Sequence, residues 1–264
     1  MNDAIVVTNL SKSFETVKAV DNISFAVKDS EVFAFLGPNG AGKTTTISVI
    51  CGLLKPTAGT VVLNGYDVAL EPTEVRKSIG VIFQDPSLDE RLTVYENLDF
   101  HGMIYHMPYR LRRQRITEVL DLVGLGDKTK TIVRTFSGGM KRRLEIARGL
   151  MHRPRVMILD EPTTGLDPQT RAHIWDYVLK LSQEQKITIF FTTHYLDEAE
   201  VCDRLAIIDH GRIAALDTPD ALKEKYHKTT LNDVFLEVTG YDIREDAGDA
   251  KEHFGLIVRQ KRLK

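Results

Sequence analysis

The segment Gly37-Pro38-Asn39-Gly40-Ala41-Gly42-Lys43-Thr44 has the residue types and spacing to hold a chain of phosphates. It follows the apolar run Val32-Phe33-Ala34-Phe35-Leu36 and reads glycine, four residues, Gly-Lys-Thr. Glycines let the backbone turn tightly enough for successive N–H groups to converge on an anion. Lys43 can reach the β- and γ-phosphates, and the Thr44 hydroxyl can hold Mg²⁺. A helix starting here would set its positive end behind those phosphates, with Ile50, Leu53 and Leu54 at helical spacing.

A second cluster follows much later in the chain. Met157-Ile158-Leu159-Asp160-Glu161 reads as an apolar strand ending in two carboxylates, with Pro162 placing a turn after it. An aspartate at such a strand end holds the Mg²⁺ shell beside a phosphate loop. Glu161, one residue on, can polarise a water for in-line attack on a γ-phosphate. Ser137-Gly138-Gly139 offers a further anion-binding nest where Ser137 can cap a helix.

These groups need elements to hold them. Ile5–Val7 and Ile23–Val27 suit strands, and Val32–Leu36 is a continuous apolar strand of the kind covered on both faces of a parallel sheet. Thr60–Leu63, ending at Asn64-Gly65, and Ile79–Phe83, leading into Gln84, are two more. Residues 93–153 turn mostly helical. Ile116, Val119, Leu120 and Val123 lie on one amphipathic face that Gly124 and Gly126 stop, and a helix from Ser137 breaks at Pro154. Strands return at Val156–Leu159 and Ile187–Phe191, with a helix after Asp167-Pro168 between them. A hairpin at 205–215 turns on His210-Gly211. The expected fold is α/β: a mostly parallel sheet core with an N-terminal antiparallel β part and an inserted helical subdomain. Residues 1–240 form one domain, with the core at 1–92 and 154–216, the helical subdomain at 93–153, and a tail at 241–264 that is either loose or a docking strand.

Composition sets limits. With 264 residues, 42% of them hydrophobic, the chain can bury a sizeable core. A net charge of -2 gives no global pull toward nucleic acid or a membrane surface. No apolar stretch approaches the roughly 18 residues of a membrane span, and Met1-Asn2-Asp3 does not open a signal peptide. Two cysteines, Cys51 and Cys202, suit free thiols in a reducing compartment, with Cys51 a small buried apolar residue. Residues 101–155 hold 13 lysines and arginines against 4 acidic residues. Two readings fit this run: a solvated face with a few anion-contacting arginines, or a surface near anionic lipid or nucleotide.

Taken together, these motifs resemble those of ATP-binding cassette ATPases over about residues 4–240. Ser137-Gly138-Gly139-Met140-Lys141 resembles the family signature, usually Leu-Ser-Gly-Gly-Gln, with Phe136 and Met140 departing from it. Gln84 resembles the glutamine that joins metal coordination to a membrane partner, and Asp167 lies in what resembles the loop crossing between two nucleotide sites. His194, after Phe191-Thr192-Thr193, resembles the switch histidine at the γ-phosphate. Phe14 aligns with the aromatic residue that stacks on adenine; as a bare residue it also reads as a core phenylalanine. The stretch Thr230–Gly240 and the run Ser137–Arg143 resemble ATPase subunits of daunorubicin-resistance, multidrug and polysaccharide exporters, where methionine at the position of Met140 is usual.

The resemblance implies an ATP-hydrolysing transporter subunit that uses ATP and Mg²⁺. Lys43, Glu161 and His194 would carry the chemistry. Gly37, Pro38, Asn39, Gly40, Ala41, Gly42, Lys43, Thr44, Thr45, Gln84 and Phe14 would hold the nucleotide, and Thr44, Gln84 and Asp160 the metal. Ser137, Gly138 and Gly139 would contact ATP across a dimer, here a homodimer because one chain carries both halves of the composite site. A separate transmembrane permease would be the partner, with the chain at the cytoplasmic face of the membrane and no nucleic acid involved. The competing class is a cassette ATPase acting on ribosomes, DNA or cluster assembly. Translation-type members usually carry two cassettes per chain, and DNA-repair members carry a long coiled coil; this chain shows one cassette and no heptad run between Gln84 and Ser137.

Overall fold

A computed structural model describes residues 3–240, so the expected tail at 241–264 lies outside the described residues. In chain order the elements are β1 (Asp3–Phe14), β2 (Val17–Lys28), β3 (Val32–Leu36), α1 (Lys43–Ile50), β4 (Ala58–Leu63), β5 (Tyr66–Asp67), α2 (Pro72–Ser78) and β6 (Ile79–Ile82). Three helices follow: α3 (Val94–Ile104), α4 (Tyr109–Leu122) and α5 (Gly138–Leu150). Then come β7 (Val156–Asp160), α6 (Pro168–Gln185), β8 (Thr188–Thr193), α7 (Leu196–Ala199), β9 (Arg204–Asp209), β10 (Arg212–Asp217), α8 (Pro219–Lys225) and α9 (Leu231–Thr239).

The central sheet has strand order β10-β9-β3-β8-β7-β6. All its neighbouring pairs are parallel except β9 with the hairpin strand β10. A second, antiparallel sheet runs β2-β1-β4-β5. The alternation of β3 explains how both faces are covered. Val32, Ala34 and Leu36 join a core shared with α3 to α6, while Phe33 and Phe35 join a second core with α1 and the antiparallel sheet. In that second core Phe25, Phe33 and Phe190 stack with centroids 5.6–5.9 Å apart.

Most of the expected elements form where the sequence places them. The α4 face of Ile116, Val119 and Leu120 is buried, and Gly124, at φ 64°, follows its last turn. Thr93 and Glu96 close a capping box on α3, with the Thr93 hydroxyl accepting the Glu96 N–H and the Glu96 carboxylate accepting the Thr93 N–H. One helix differs: α1 ends at Ile50, and Cys51 caps it. Leu53 and Leu54 therefore lie beyond the helix, and Leu53 is 56% exposed. Gly52, at φ 68°, ends it, because a left-handed residue just past the last turn closes a helix more firmly than the apolar spacing extends it. Cys51 is buried and its thiol is pushed up by burial, as expected of a packing residue.

Candidate functional site

Four neighbouring strands of the parallel sheet release their chains at the same edge. β3 leads into Gly37, β8 into His194, β7 into Glu161 and β6 into Phe83 and Gln84. The register aligns Leu36 with Thr193, Asp160 with Thr192, and Ile82 with Leu159. Ligands of open α/β sheets bind at the carboxyl ends of such strands, so topology alone gathers residues from four distant parts of the chain.

The glycine loop is shaped by close approach. Gly40 and Gly42 have φ of 82° and 103°, and a side chain at Gly37 or Gly42 would run into the carbonyl of Ile208 or Ala19. Gly42 sits at the N-terminus of α1 with no side-chain cap, so the first-turn N–H groups face the site without a competitor. Lys43 is buried and donates to Gly37 O at 2.8 Å and Pro38 O at 3.0 Å. Its Nζ also pairs with Glu161 Oε1 at 3.1 Å. Burial lowers the Lys43 pKa, and the carboxylates of Glu161 and Asp160 push back.

The carboxylates are held differently from each other. Asp160 is buried, accepts the Thr192 hydroxyl at 2.6 Å, and lies 3.4 Å from the Thr44 hydroxyl. Burial raises its pKa against both hydroxyl contacts. Glu161 also lies in a desolvating setting, but the His194 contact and the Lys43 charge outweigh burial and hold it at about 2. His194 Nδ1 is 3.4 Å from Glu161 Oε2 without hydrogen-bond alignment. Gln84 Nε2 donates to the same oxygen at 3.3 Å and Thr164 Oγ1 at 3.2 Å.

Glu161 has φ of 45°, a left-handed conformation that a glutamate adopts only when its neighbours enforce it. Thr192 accepts its N–H at 3.0 Å, and Arg142 donates to its carbonyl at 3.1 Å. A buried second layer supports the same turn. Glu198 accepts the hydroxyls of Thr163 and of Thr193, the latter at 2.6 Å, tying the turn after Glu161 to the residue before His194. Arg171 faces Glu198 at 4.0 Å and lies 3.8 Å over the Tyr195 ring.

Asn39, Gln84, Glu161 and His194 thus share a cavity of about 460 Å³ with Gly165, Leu166 and Pro168. Asp167 beside them caps α6, accepting the Thr170 N–H at 3.0 Å. Ser137 and Gly139 line a different cavity, with Arg143, Thr170 and His173. Ser137 caps α5 as expected, accepting the Met140 N–H at 3.3 Å. Phe14 sits at the tip of the β1–β2 hairpin, 44% exposed, with the Lys12 ammonium 5.0 Å from its ring centre, which removes the core-phenylalanine reading.

Sequence reasoning missed Arg142, Thr192, Glu198 and Arg171. Arg142 lay inside a basic run, and the structure assigns much of that run to internal bonds. Arg112 pairs with Asp99, Arg115 donates to Leu150 O and Met151 O, and Arg143 to Val123 O. The opposite charges of Arg142 and Glu145, three residues apart, were the one available signal for a pair on a helix face.

Known proteins carry the same pattern. A family model described as "ABC transporter" matches residues 20–164. The linearmycin resistance ATP-binding protein LnrL of Bacillus subtilis is 42% identical over 233 residues, covering 88% of this chain and 74% of LnrL. The daunorubicin/doxorubicin resistance ATP-binding protein DrrA of Streptomyces peucetius is 43% identical, covering 86% of this chain and 69% of DrrA. Among solved structures, cbiO1 of Clostridium perfringens, part of the ABC transporter complex cbiONQ, aligns with a TM-score of 0.80 at 29% identity, covering 90% of this chain and 96% of cbiO1. A dimeric ATP-binding cassette in a post-hydrolysis state, bound to ADP and phosphate, aligns with a TM-score of 0.73 at 28% identity, covering 81% of this chain and 98% of that one. The chain belongs to the ATP-binding cassette family and is an ATP-binding, ATP-hydrolysing subunit of a transporter.

Proposed function

We propose that two copies of this chain close around two ATP molecules and power export through a separate membrane-spanning permease at the inner face of the membrane. The observation that carries the two-copy reading is the separation within one chain. Asn39, Gln84, Glu161 and His194 line one cavity, with Lys43 paired to Glu161 beside it, while Ser137 and Gly139 line another. Each site then needs the Ser137–Gly139 segment of a second copy to complete it.

In this reading the Gly37–Thr45 backbone and the α1 N-terminus cradle the phosphates, and the Lys43 charge moves from Glu161 to the outer phosphates. Glu161 takes the proton of the attacking water, positioned by Gln84 and Thr164, and His194 donates toward the γ-phosphate. Phe14 offers its exposed π face to the adenine. Asp160, Thr44 and Gln84 are the residues that would hold Mg²⁺. The donors fit: all are hard oxygens, and a carboxylate whose charge is disfavoured by burial is relieved by a cation. Bound there, Mg²⁺ would neutralise charge on the phosphates.

Among the described residues no helix is long and apolar enough to cross a membrane. In this reading the pathway belongs to the permease. Residues 93–153 act as a helical subdomain, and the Gln84 loop with α3 and α4 passes movement to the permease. Export as the direction follows the relatives, which are named for resistance to linearmycin and to daunorubicin and doxorubicin. The test is purification of the tagged chain from gently solubilised native membranes, with and without non-hydrolysable ATP. A stoichiometric polytopic membrane protein is expected. Ribosomes, DNA or assembly factors in its place would favour the soluble class instead.

A further inference from the structure

The helix that carries Ser137–Gly139 at its start also grips the chain's own reaction site. Arg142, Glu145 and Arg148 stand three residues apart along α5. The buried Arg142 guanidinium donates to Pro162 O, to Phe83 O at 2.8 Å, to Glu161 O at 3.1 Å and to Glu145 Oε2 at 3.0 Å. Glu145 accepts the Ser87 N–H at 2.9 Å, and Arg148 donates to the Ser87 carbonyl and hydroxyl. One helix therefore clamps the residues on either side of Gln84 and both carbonyls of the turn at Glu161.

We infer that Arg142 is a positioning residue that couples the two nucleotide sites of the dimer, joining the segment a chain presents to its partner's ATP to the base of its own site. The inference rests on the two-copy reading above. The path is short, running from Ser137 to Arg142 along a turn and a half of helix. It is stiff, because a planar guanidinium holds three carbonyls in a fixed fork that a lysine cannot reproduce. Its endpoint is sensitive, because Glu161 keeps its left-handed backbone only while outside bonds enforce it. Seating of Ser137–Gly139 on the partner's phosphates fixes α5, and α5 fixes the Glu161 carbonyl. The same linkage read backward makes the chain's own bound nucleotide favour its grip on the partner's, since coupling of binding free energies is reciprocal.

The test follows ATPase rate against ATP concentration for the full chain and for Arg142→Lys and Arg142→Met. ATP affinity of dilute single chains and thermal melts are measured alongside. Wild type is expected to show a Hill coefficient above ~1.5, within the limit of two sites. Arg142→Lys keeps the charge beside Glu145 and loses the fork. Its Hill coefficient should fall to about 1 and kcat by ~10-fold, with single-chain affinity within about 2-fold. Arg142→Met should do the same more severely where its melt stays cooperative. A folded Arg142→Lys with the wild-type Hill coefficient overturns the inference. So does equal loss of affinity and kcat at an unchanged Hill coefficient, which marks a structural brace. A wild-type Hill coefficient of about 1 with no ATP-dependent dimer overturns the two-copy reading itself, and the coupling with it.

Discussion

The cavity at Glu161 and the start of α5 differ in how much of their surroundings the chain supplies. Around Glu161 the lysine, the carboxylates and the supporting backbone have internal partners. Lys43 is tied to two carbonyls and a carboxylate, Asp160 to two hydroxyls, and the Glu161 backbone to Thr192 and Arg142. At the start of α5, Ser137 and Gly138 are exposed, and the Ser137 hydroxyl has the Met140 N–H as its partner. Chemistry that moves a proton needs groups fixed in place and shielded from water, and burial in a sheet edge does this. A surface that must meet and leave a second molecule each cycle has to stay outside the core. In the two-copy reading proposed above, the first region is finished by folding and the second by association.

This contrast can be tested by substitutions on each side. Glu161→Gln should leave ATP affinity in place and slow turnover by roughly 10²–10⁴, measured by single-turnover phosphate release. Lys43→Ala should do the reverse at the same site, with ATP affinity falling by ~10-fold or more in equilibrium dialysis as the phosphates lose a point charge. Near-wild-type turnover in Glu161→Gln would remove it as the base and dissolve the contrast.

At the other region Gly139→Ala adds a methyl that meets the Thr170 methyl. The expected result is a ~10-fold lower rate at saturating ATP with unchanged affinity in dilute single chains, partly restored by adding Thr170→Ser, which removes the obstructing methyl. Weaker binding by the dilute chain would mean that the segment serves its own chain's nucleotide.

The smallest effect concerns the back of the helical layer. His101 lies against Tyr105, with ring centres 4.9 Å apart, and Tyr105 stacks on His152 at 3.9 Å. Burial, with the nearby Arg148 and His152 charges, lowers His101 to about 3. The unfolded chain therefore takes up this proton first as pH falls below about 6.5, and the folded form loses stability between there and pH 3. By pH 5 the loss is on the order of 2 kcal/mol, and His101→Phe should flatten that slope in melts from pH 7 to 5. Hydrogen exchange should rise in α3 to α5 at pH 5 and stay low in β3 and β7. Equal loosening of both would mean that the two regions unfold as one.

Much of the fold and the site was legible because the signals are local. The glycine spacing before Lys43, the apolar strands ending at Asp160 and before His194, and the caps at Ser137 and Asp167 each depend on residues within a few positions of one another. The hidden parts depend on partners far along the chain. The basic run at 101–155 read as a surface because composition does not distinguish an arginine in water from one donating to buried carbonyls. Arg142 reaches Phe83 and Pro162, 59 and 20 residues away. Glu198 reads as one more acidic residue on a helix start, yet it joins Thr163, 35 residues earlier, to Thr193. Leu53 shows the opposite error, where apolar spacing outran a helix that Gly52 ends.

The sequence by itself determined the family and its ATP chemistry, since the glycine loop before Lys43, the Asp160-Glu161 pair and His194 after its strand are defined by residue type and nearest neighbours. Only the tertiary structure decided how these groups work together. The parallel order β3-β8-β7-β6 brings four strand ends to one edge, the bonds from Thr192 and Arg142 hold Glu161 in a conformation it would not adopt alone, and the Ser137 segment faces a separate cavity. The physical reason is range: backbone preference and capping act over a few residues, whereas burial, sheet order and buried charge pairs are properties of the packed whole.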